Sequence, residues 1–197
     1  MGSRQEQLEN RQERLENRQE QLENRQLKHT GSMSRDPDPR YAGKIRTRVN
    51  GLLIHDQSLL MVQLHSPVTG GLIWMPPGGG VQFGEALTGT LCREMAEETG
   101  LTVSAGPLWY LHEVVTPHVH AIEFYFRCDW QHGELQKGMD PEYSRQEQII
   151  RDVDWIPLKQ LNCEDVHPLY LKKNLLNDWQ AEKKGGMTTP PGLPRFI

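Results

Sequence analysis

The stretch "GGGVQFGEALTGTLCREMAEETGL", residues 78–101, places a glycine-rich segment directly before a charged, periodic one. Leu87, Leu91 and Met95 recur at four-residue intervals, which predicts a helix with one apolar stripe. Gly100 then supplies the left-handed conformation that commonly ends a helix. The glycines before the helix allow a backbone that approaches neighbouring groups closely. The stretch therefore predicts a loop, a helix and a second loop.

Three carboxylates are crowded on this predicted helix. Glu94 and Glu98 are four residues apart and Glu97 lies three residues after Glu94, so all three can reach one patch. Like charges at these spacings destabilise a helix by a few tenths of a kcal/mol per pair. One interpretation is a solvated acidic face balanced by basic side chains such as Arg93. The other is a cation site, and the adjacent glycine-rich backbone favours it because a carbonyl could reach the same ion.

The order of fixed positions adds a second line of argument. Gly79 is followed after five residues by Glu85, and after seven more by "REMAEETGL", residues 93–101. This order resembles the signature of the Nudix hydrolase family at every fixed position. The flanking "WMPPGG" and the later "DVDWIPL" also look like this family's. The resemblance extends over roughly Lys44–Leu161.

The resemblance implies a fold and a metal site. The fold is an α/β (α+β) Nudix-type sandwich of three layers, α/β/α, with a mixed sheet and a loop-helix-loop that holds divalent cations against a diphosphate. Oxygen ligands without sulfur or imidazole favour Mg²⁺ or Mn²⁺. The implied metal-binding set is Glu94, Glu97, Glu98 and the carbonyl of Gly78. Arg93 and Glu85 are implied to support these ligands, with Arg93 paired to a carboxylate of the signature.

The remaining segments predict strands around this helix and a second helix near the end. Residues 44–65 predict a hairpin with a polar turn at His55–Ser58, because two apolar runs flank four turn-forming residues. Alternation and aromatic content predict strands over residues 106–115, 120–130 and 149–158. A helix is expected over Pro168–Lys183, with the proline tolerable at a first helical position.

The chain predicts one domain with appended ends. Residues 4–24 repeat in sevens with near-identity and lie between an opening "MGS" and a later "GS". This arrangement is typical of an engineered leader over residues 1–32, which is expected to be helical. A lead-in is expected over 33–43, the Nudix domain over 44–183, and a Gly- and Pro-rich tail over 184–197. The leucines of the repeat leave self-association open, so a homodimer is one expectation.

Composition excludes several classes of partner and site. A formal net charge of −4 and a pI near 6.1 argue against nucleic acid or an anionic membrane as the natural partner. Apolar runs are far shorter than the ~20 residues of a membrane-spanning helix, and a cytoplasmic location is expected. Cys92, Cys128 and Cys163 are odd in number and widely spaced, so they predict neither a disulfide framework nor a zinc site.

Further candidates lie outside the signature. Members of this family usually bring one more acid from a loop, as metal ligand or as the base that activates water. Glu147 is the first candidate and Glu142 the second, with Asp140 in the same polar segment. Solvated loop charges are the alternative interpretation for all three. Arg46, Arg48, Trp74 and Pro117 are candidate substrate contacts, and the cluster of His112, His118 and His120 is a weaker one.

The resemblance implies an enzyme that hydrolyses the diphosphate linkage of a nucleoside diphosphate joined to another moiety. A nucleoside diphosphate sugar such as ADP-ribose is favoured, because Pro117 lies sixteen residues beyond Leu101, where the ADP-ribose pyrophosphatase branch carries a proline. The alternative is a nucleoside triphosphate pyrophosphohydrolase acting on oxidised dNTPs. A nucleotide-sensing module without catalysis is the alternative from another class, although such modules usually lose a metal-binding glutamate.

Overall fold

The computed structural model describes residues 43–66, 71–116, 119–139, 146, 148–163, 165–184 and 195–196. It is a mixed α and β structure, as expected. The strands are β1 (Ile45–His55), β2 (Ser58–His65), β3 (Leu72–Met75), β4 (Gly78–Gly80), β5 (Leu101–Val115), β6 (His120–Gly133), β7 (Ile150–Pro157) and β8 (Arg195–Phe196). The helices are α1 (Leu87–Thr99), a 3₁₀ helix (Leu158–Cys163) and α2 (Leu169–Lys183). The predicted leader over 1–32 lies outside the described residues, as does most of the predicted tail.

The first hairpin forms where the sequence predicts it. Asp56 and Gln57 connect β1 to β2 with φ angles of 45° and 61°. Positive φ at both central residues matches the twist of a two-residue hairpin connection. The predicted polar turn is therefore confirmed, with the first two apolar strands on either side of it.

The described strands form one eight-stranded mixed sheet. Its main path is β3-β2-β1-β6-β5-β8, while β4 pairs with β1 and β7 pairs with β2. Strand β1 runs parallel to β6 and antiparallel to β4. It pairs with β2 only at Ile54 and His55, next to the turn, and with β4 at Arg48–Asn50. The glycines of β4 therefore lie beside the middle of β1, where β2 has diverged from it.

Each face of the sheet is covered by a helix. Val49 and Leu53 of β1 belong to a buried cluster that includes Leu91 and Met95 of α1. Leu52 points the opposite way, into a second cluster that includes residues of α2 such as Leu171 and Leu175. Alternation along β1 thus divides its side chains between two cores, because successive strand residues face opposite sides. The three-layer sandwich that the resemblance implied is confirmed.

Gly51 allows α1 to lie close to the sheet. A Cβ at this position would lie 2.7 Å from the Met95 sulfur and 3.1 Å from the Cys128 sulfur. The Gly51 N–H donates to the Pro77 carbonyl at 2.8 Å, which holds the segment before β4 against β1. A larger residue would have to displace α1, so Gly51 sets the depth at which the acidic helix approaches β4.

Helix α2 begins one residue later than predicted, because Pro168 is its extended N-cap and not its first helical residue. Such a difference is ordinary for helix boundaries. Trp74, a candidate substrate contact, is 2% exposed and belongs to the cluster beneath α2. Its ring is therefore part of the core in this structure. Within the ranges given above, no helix is long and apolar enough to cross a membrane.

Replacing Gly51 by valine is expected to lower the free energy of unfolding by about 1–3 kcal/mol, the usual effect of overpacking a core. Urea denaturation measures this change. Gly89→Ala is the matched control, since a Cβ there meets only Glu85 Cγ at 3.9 Å. A Gly51→Val protein as stable as Gly89→Ala would contradict the close packing of α1 on β1.

Candidate active site

The glutamates of α1 lie directly against β4. Glu94 and Glu98 are each 3% exposed, while Glu97 is half-buried. The Gly78 N–H donates to Glu98 Oε2 at 2.8 Å. At Gly79 a Cβ would overlap the Glu94 carboxylate, so a larger residue there would displace that carboxylate. The structure therefore brings together the glycines and the glutamates of the signature, as the sequence predicted.

Arg93 binds three of the surrounding carboxylates. Its Nε and Nη2 donate to the two oxygens of Glu85 at 2.9 and 3.0 Å, a bidentate pair. Its Nη1 donates to Glu94 Oε1 and to Glu97 Oε2, each at 2.9 Å. Planar, two-point pairing of this kind fixes orientation as well as charge. Arg93 is thus paired with carboxylates of the signature, and its supporting role at the site stays a prediction.

The same contacts shift two pKa values. The hydrogen bonds from Arg93 and then from Thr90, whose hydroxyl donates to Glu85 Oε2 at 2.7 Å, lower the pKa of Glu85 to about 2. The hydrogen bond with Glu85 is also the main reason why the pKa of Arg93 is raised. Glu85 and Arg93 are therefore both charged at neutral pH.

The donor set around β4 fits a hard divalent cation. Three carboxylates and the Gly78 carbonyl supply oxygen only, which is the chemistry Mg²⁺ and Mn²⁺ prefer. A cationic group already contacts two of them, because Arg93 Nη1 touches both Glu94 and Glu97. As they stand, no three His, Cys, Asp or Glu side chains in the described part of the chain are arranged around one ion position. Binding a metal would therefore require these carboxylates to rearrange, although Arg93 uses only one oxygen of Glu94 and one of Glu97.

A second polar group lies on the α2 face of the sheet beside Gly78. Arg48 Nη2 donates to the Gly78 carbonyl at 3.2 Å, and Arg48 Nε lies 3.7 Å from Glu123 Oε1. Glu123 Oε2 accepts from the Tyr125 hydroxyl at 2.8 Å and lies 3.1 Å from His112 Nδ1. We call Arg48, His112, Glu123 and Tyr125 the Glu123 network. Only the sheet separates it from the core beneath α1.

Glu123 is charged although it is buried. Burial, the largest influence, raises its pKa, but the hydrogen bond with His112, the charge of Arg48 and the hydrogen bond from Tyr125 outweigh it. The net effect lowers the pKa of Glu123. Burial and the neighbouring carboxylate raise the pKa of Tyr125 well above its ordinary value. Three partners therefore compensate the burial of the Glu123 carboxylate, because a buried charge without partners carries a large desolvation penalty.

The sequence analysis missed Glu123 as a site residue and assigned His112 only to a histidine cluster. A signal was available, because Glu123 interrupts the apolar run "AIEFYF" at a position that faces inward on β6. His120 does not join His112. It pairs instead with the Glu113 carboxylate at 3.0 Å. His118 lies outside the described residues.

The candidate arginines share one face of β1, as predicted. Arg46 and Arg48 are half-buried, while Ile45 and Thr47 between and before them are exposed. Asn50, the next residue on that face, is fully buried, and neither atom of its carboxamide has a hydrogen-bond partner in the described part of the structure. Buried amides normally bond to protein or internal water. Asn50 is not among the site residues predicted from the sequence.

The segment after β6 is attached to the end of α1. The N–H groups of Gln136, Gly138 and Met139 donate to the carbonyls of Thr99, Glu98 and Glu97 at 3.0, 2.9 and 3.2 Å. A Cβ on Gly138 would overlap the Glu97 carbonyl, so only glycine at this position lets the segment lie this close to the helix. Met139 therefore lies beside the end of α1 that carries Glu97 and Glu98. Asp140, Glu142 and Glu147, like Pro117, lie outside the described residues and stay predictions.

Comparison with known proteins shows the family to which this chain belongs. The model of the NUDIX domain matches residues 44–175, two-thirds of the chain. The chain belongs to the NUDIX family. Enzymes of this family are hydrolases that generally use divalent cations and act on small-molecule nucleotides.

Three relatives illustrate what this chain is similar to. It is 29% identical over 98 residues to a protein of Mycobacterium tuberculosis (strain CDC 1551 / Oshkosh) provisionally named mutator protein MutT4. That match covers 47% of this chain and 36% of the relative, so the chain spans about a third of the relative's length. A NUDIX hydrolase from Nitrosomonas europaea superposes with a TM-score of 0.56 at 16% identity, covering 75% of this chain and 94% of the other. The E. coli ORF135 protein gives 0.55 at 19%, covering 76% and 97%. At these identities the two structures show the fold alone.

Glu98→Gln is expected to lower kcat by at least ~10²-fold in Mg²⁺, because a single ligand-level electrostatic contact is worth several kcal/mol in such sites. Steady-state kinetics measures the change, and thermal unfolding checks that the protein is folded. Glu113→Gln, on the exposed end of β5, is the control for charge removal. Turnover equal to that of the control would show that the Glu98 carboxylate is not part of the metal site.

Acidification is expected to weaken the protein through Glu85. Because its folded-state pKa is depressed to about 2, the stabilisation it contributes is complete above its ordinary pKa near 4.5 and is lost as pH falls through 2. Urea denaturation of the wild type and of Glu85→Gln in EDTA, at pH 7, 4.5 and 2.5, measures this. The two stabilities should converge on acidification. A constant difference at all three pH values would contradict the assignment of the Arg93–Glu85 pair.

Proposed function

We propose that this Nudix hydrolase cleaves the diphosphate linkage of a nucleoside diphosphate sugar, with ADP-ribose as the first substrate to test, and uses Mg²⁺ or Mn²⁺. The observation that supports the hydrolysis is the contact between α1 and β4. There Glu98 accepts from the Gly78 N–H and the Glu94 carboxylate lies against Gly79. Arg93 binds Glu94 and Glu97, and Arg48 donates to the Gly78 carbonyl. These carboxylates would repel an anionic diphosphate unless bound cations neutralised them.

Each residue has a proposed part in the reaction. Glu94, Glu97, Glu98 and the Gly78 carbonyl would hold the cations. When bound, these supply charge neutralisation at the diphosphate and lower the pKa of a coordinated water. Arg93 would stay paired with Glu85 and would orient the carboxylates of Glu94 and Glu97.

The base that takes a proton from water is proposed to come from the segment after Met139. Glu147 is the first candidate, Glu142 the second, and Asp140 shares the segment. Support comes from the anchoring of Gly138 and Met139 on the carbonyls of Glu98 and Glu97. A segment that begins at the metal-binding turn of α1 can bring an acid to the same place without a long excursion.

Contacts to the substrate are proposed for the face of β1 that carries Arg46 and Arg48. Arg48 lies 3.2 Å from the Gly78 carbonyl, so a diphosphate bound there would be within reach of its guanidinium. Arg46 follows on the same face, and Pro117 completes the proposed set from the connection between β5 and β6. Trp74 is no longer proposed as a contact, because its ring is buried.

The preference for a linked substrate has two supports. The polar segment from Gly133 to Gln148 begins with N–H groups bound to carbonyls of α1 and precedes β7 in the chain, and it is long enough to bring an acid over a diphosphate. A substrate with a bulky group on each side of the diphosphate needs an acid delivered from such a segment. Pro117 is the second support, by its resemblance to the ADP-ribose pyrophosphatase branch.

One observation favours the alternative of a nucleoside triphosphate pyrophosphohydrolase acting on oxidised dNTPs. The relative from Mycobacterium tuberculosis carries the name of a mutator protein. The match covers only 36% of that relative at 29% identity, so it supports a second candidate without displacing the first. A sensing module without catalysis is disfavoured, because all three metal-binding glutamates are present and lie together.

A substrate panel decides between the two candidates. At one Mg²⁺ concentration, kcat/KM is expected to be higher for ADP-ribose or GDP-mannose than for dGTP or an oxidised dGTP. Product detection should show the nucleoside monophosphate and the sugar phosphate. A triphosphate preferred by tenfold, which is ~1.4 kcal/mol in transition-state binding, would replace the nucleotide-sugar proposal with the alternative.

A further inference from the structure

A charged group that the proposed reaction does not use lies beside the metal-binding glycine. Glu123 is 5% exposed in the middle of β6. The register places it opposite Arg48 of β1 on one side and opposite His112 of β5 on the other. Three neighbouring strands thus present one row of charged and polar side chains on the face of the sheet away from α1.

Gly78 connects this row to the acidic helix. Glu98 Oε2 accepts from the Gly78 N–H at 2.8 Å, and the Gly78 carbonyl accepts from Arg48 Nη2 at 3.2 Å. Arg48 Nε then lies 3.7 Å from Glu123, which His112 and Tyr125 hold from the far side. Gly78 lies tightly against β1, because a Cβ there would overlap the Val49 carbonyl. It therefore cannot move toward β1 when Glu98 or Arg48 is altered.

The position of Arg48 creates an electrostatic conflict with the proposed cation. Its guanidinium contacts the same carbonyl oxygen that is proposed to bind a divalent ion, and two positive groups on one oxygen repel each other. The Glu123 carboxylate stands on the other side of that guanidinium and carries the opposite charge. Its hydrogen bonds to His112 and Tyr125 leave it fixed in place.

We propose that Glu123 is a positioning residue of the metal site. It offsets the charge of Arg48 and holds that guanidinium on the β6 side, so that the Gly78 carbonyl can bind a divalent cation. Metal affinity is then set partly from the opposite face of the sheet from the glutamates. The proposal rests on the metal site of the proposed function but not on the identity of its substrate.

Variants of the two partners should act in opposite directions. Glu123→Gln keeps the shape but removes the carboxylate charge that faces Arg48, so it should weaken Mn²⁺ binding about 10- to 100-fold, the range for groups that orient metal ligands. Arg48→Gln removes the competing cation and leaves the Glu123 carboxylate, so it should tighten binding by roughly threefold or more. With both groups neutral, the double variant should lie within about threefold of the wild type.

Titration of Mn²⁺ without substrate, followed by electron paramagnetic resonance at one fixed pH, measures these affinities. Glu113→Gln is the matched control, since it removes an exposed carboxylate of β5 that also pairs with a histidine. Its affinity should equal that of the wild type. Thermal unfolding of each variant shows which of them are folded. If Glu123→Gln does not fold, Arg48→Gln alone decides the question by the sign of its effect.

Three results would overturn the proposal. These are an affinity of Glu123→Gln equal to that of Glu113→Gln, a weaker affinity in Arg48→Gln, or a double variant as weak as Glu123→Gln. A wild type that binds no Mn²⁺ would remove both this proposal and the proposed metal site. Failure of the substrate panel with the expected Mn²⁺ affinities would remove only the nucleotide-sugar assignment.

Discussion

The hydrogen bond from the Gly78 N–H to Glu98 Oε2 joins the two elements on which the site depends. Strand β4 has only three residues, and its place is fixed by pairing with β1 and by this bond to α1. Small residues make the approach possible. Gly51 gives α1 its depth against the sheet, while Gly79 leaves room for the Glu94 carboxylate. The glycines of the signature therefore position its acids.

Electrostatics explains why the crowded acids do not separate. Two of the glutamates of α1 are almost fully buried, and burial of an isolated carboxylate is strongly unfavourable. Arg93 contacts Glu85, Glu94 and Glu97 together, and a backbone N–H contacts Glu98. The cluster is thus stable as an arrangement of protein groups, and a divalent cation would replace part of what Arg93 supplies. Glu123 and Arg48 repeat this principle on the other face, where a buried charge is again held by several partners.

Sequence reasoning was effective where the signal is local. The four-residue apolar period predicted α1, the polar turn predicted the first hairpin, and alternation placed Arg46 and Arg48 on one face. Identities at fixed spacing predicted that the glutamates meet the glycine loop. All of these depend on residues within one or two neighbouring elements, where helical and strand geometry fix which side chains share a face.

The features that it missed depend on pairing between distant strands. Arg48, His112 and Glu123 come together only because β1, β6 and β5 are neighbours in a particular register. The burial of Trp74 results from the packing of the segment before α2, whose Asp165 carbonyl accepts from the Trp74 N–H. Gly138 looked like an ordinary loop glycine, although its contact with the Glu97 carbonyl decides where the following segment starts.

The central claim is that α1 and β4 together form a divalent cation site. Anomalous diffraction from crystals soaked in Mn²⁺ tests it most directly, because the signal locates the ion without reference to activity. The predicted result is a peak bounded by the carboxylates of Glu94, Glu97 and Glu98 and the Gly78 carbonyl, with ligand distances of about 2.1 Å, as hard divalent ions require. A peak away from these oxygens, or none in crystals of an enzyme that turns over with Mn²⁺ in solution, would contradict it.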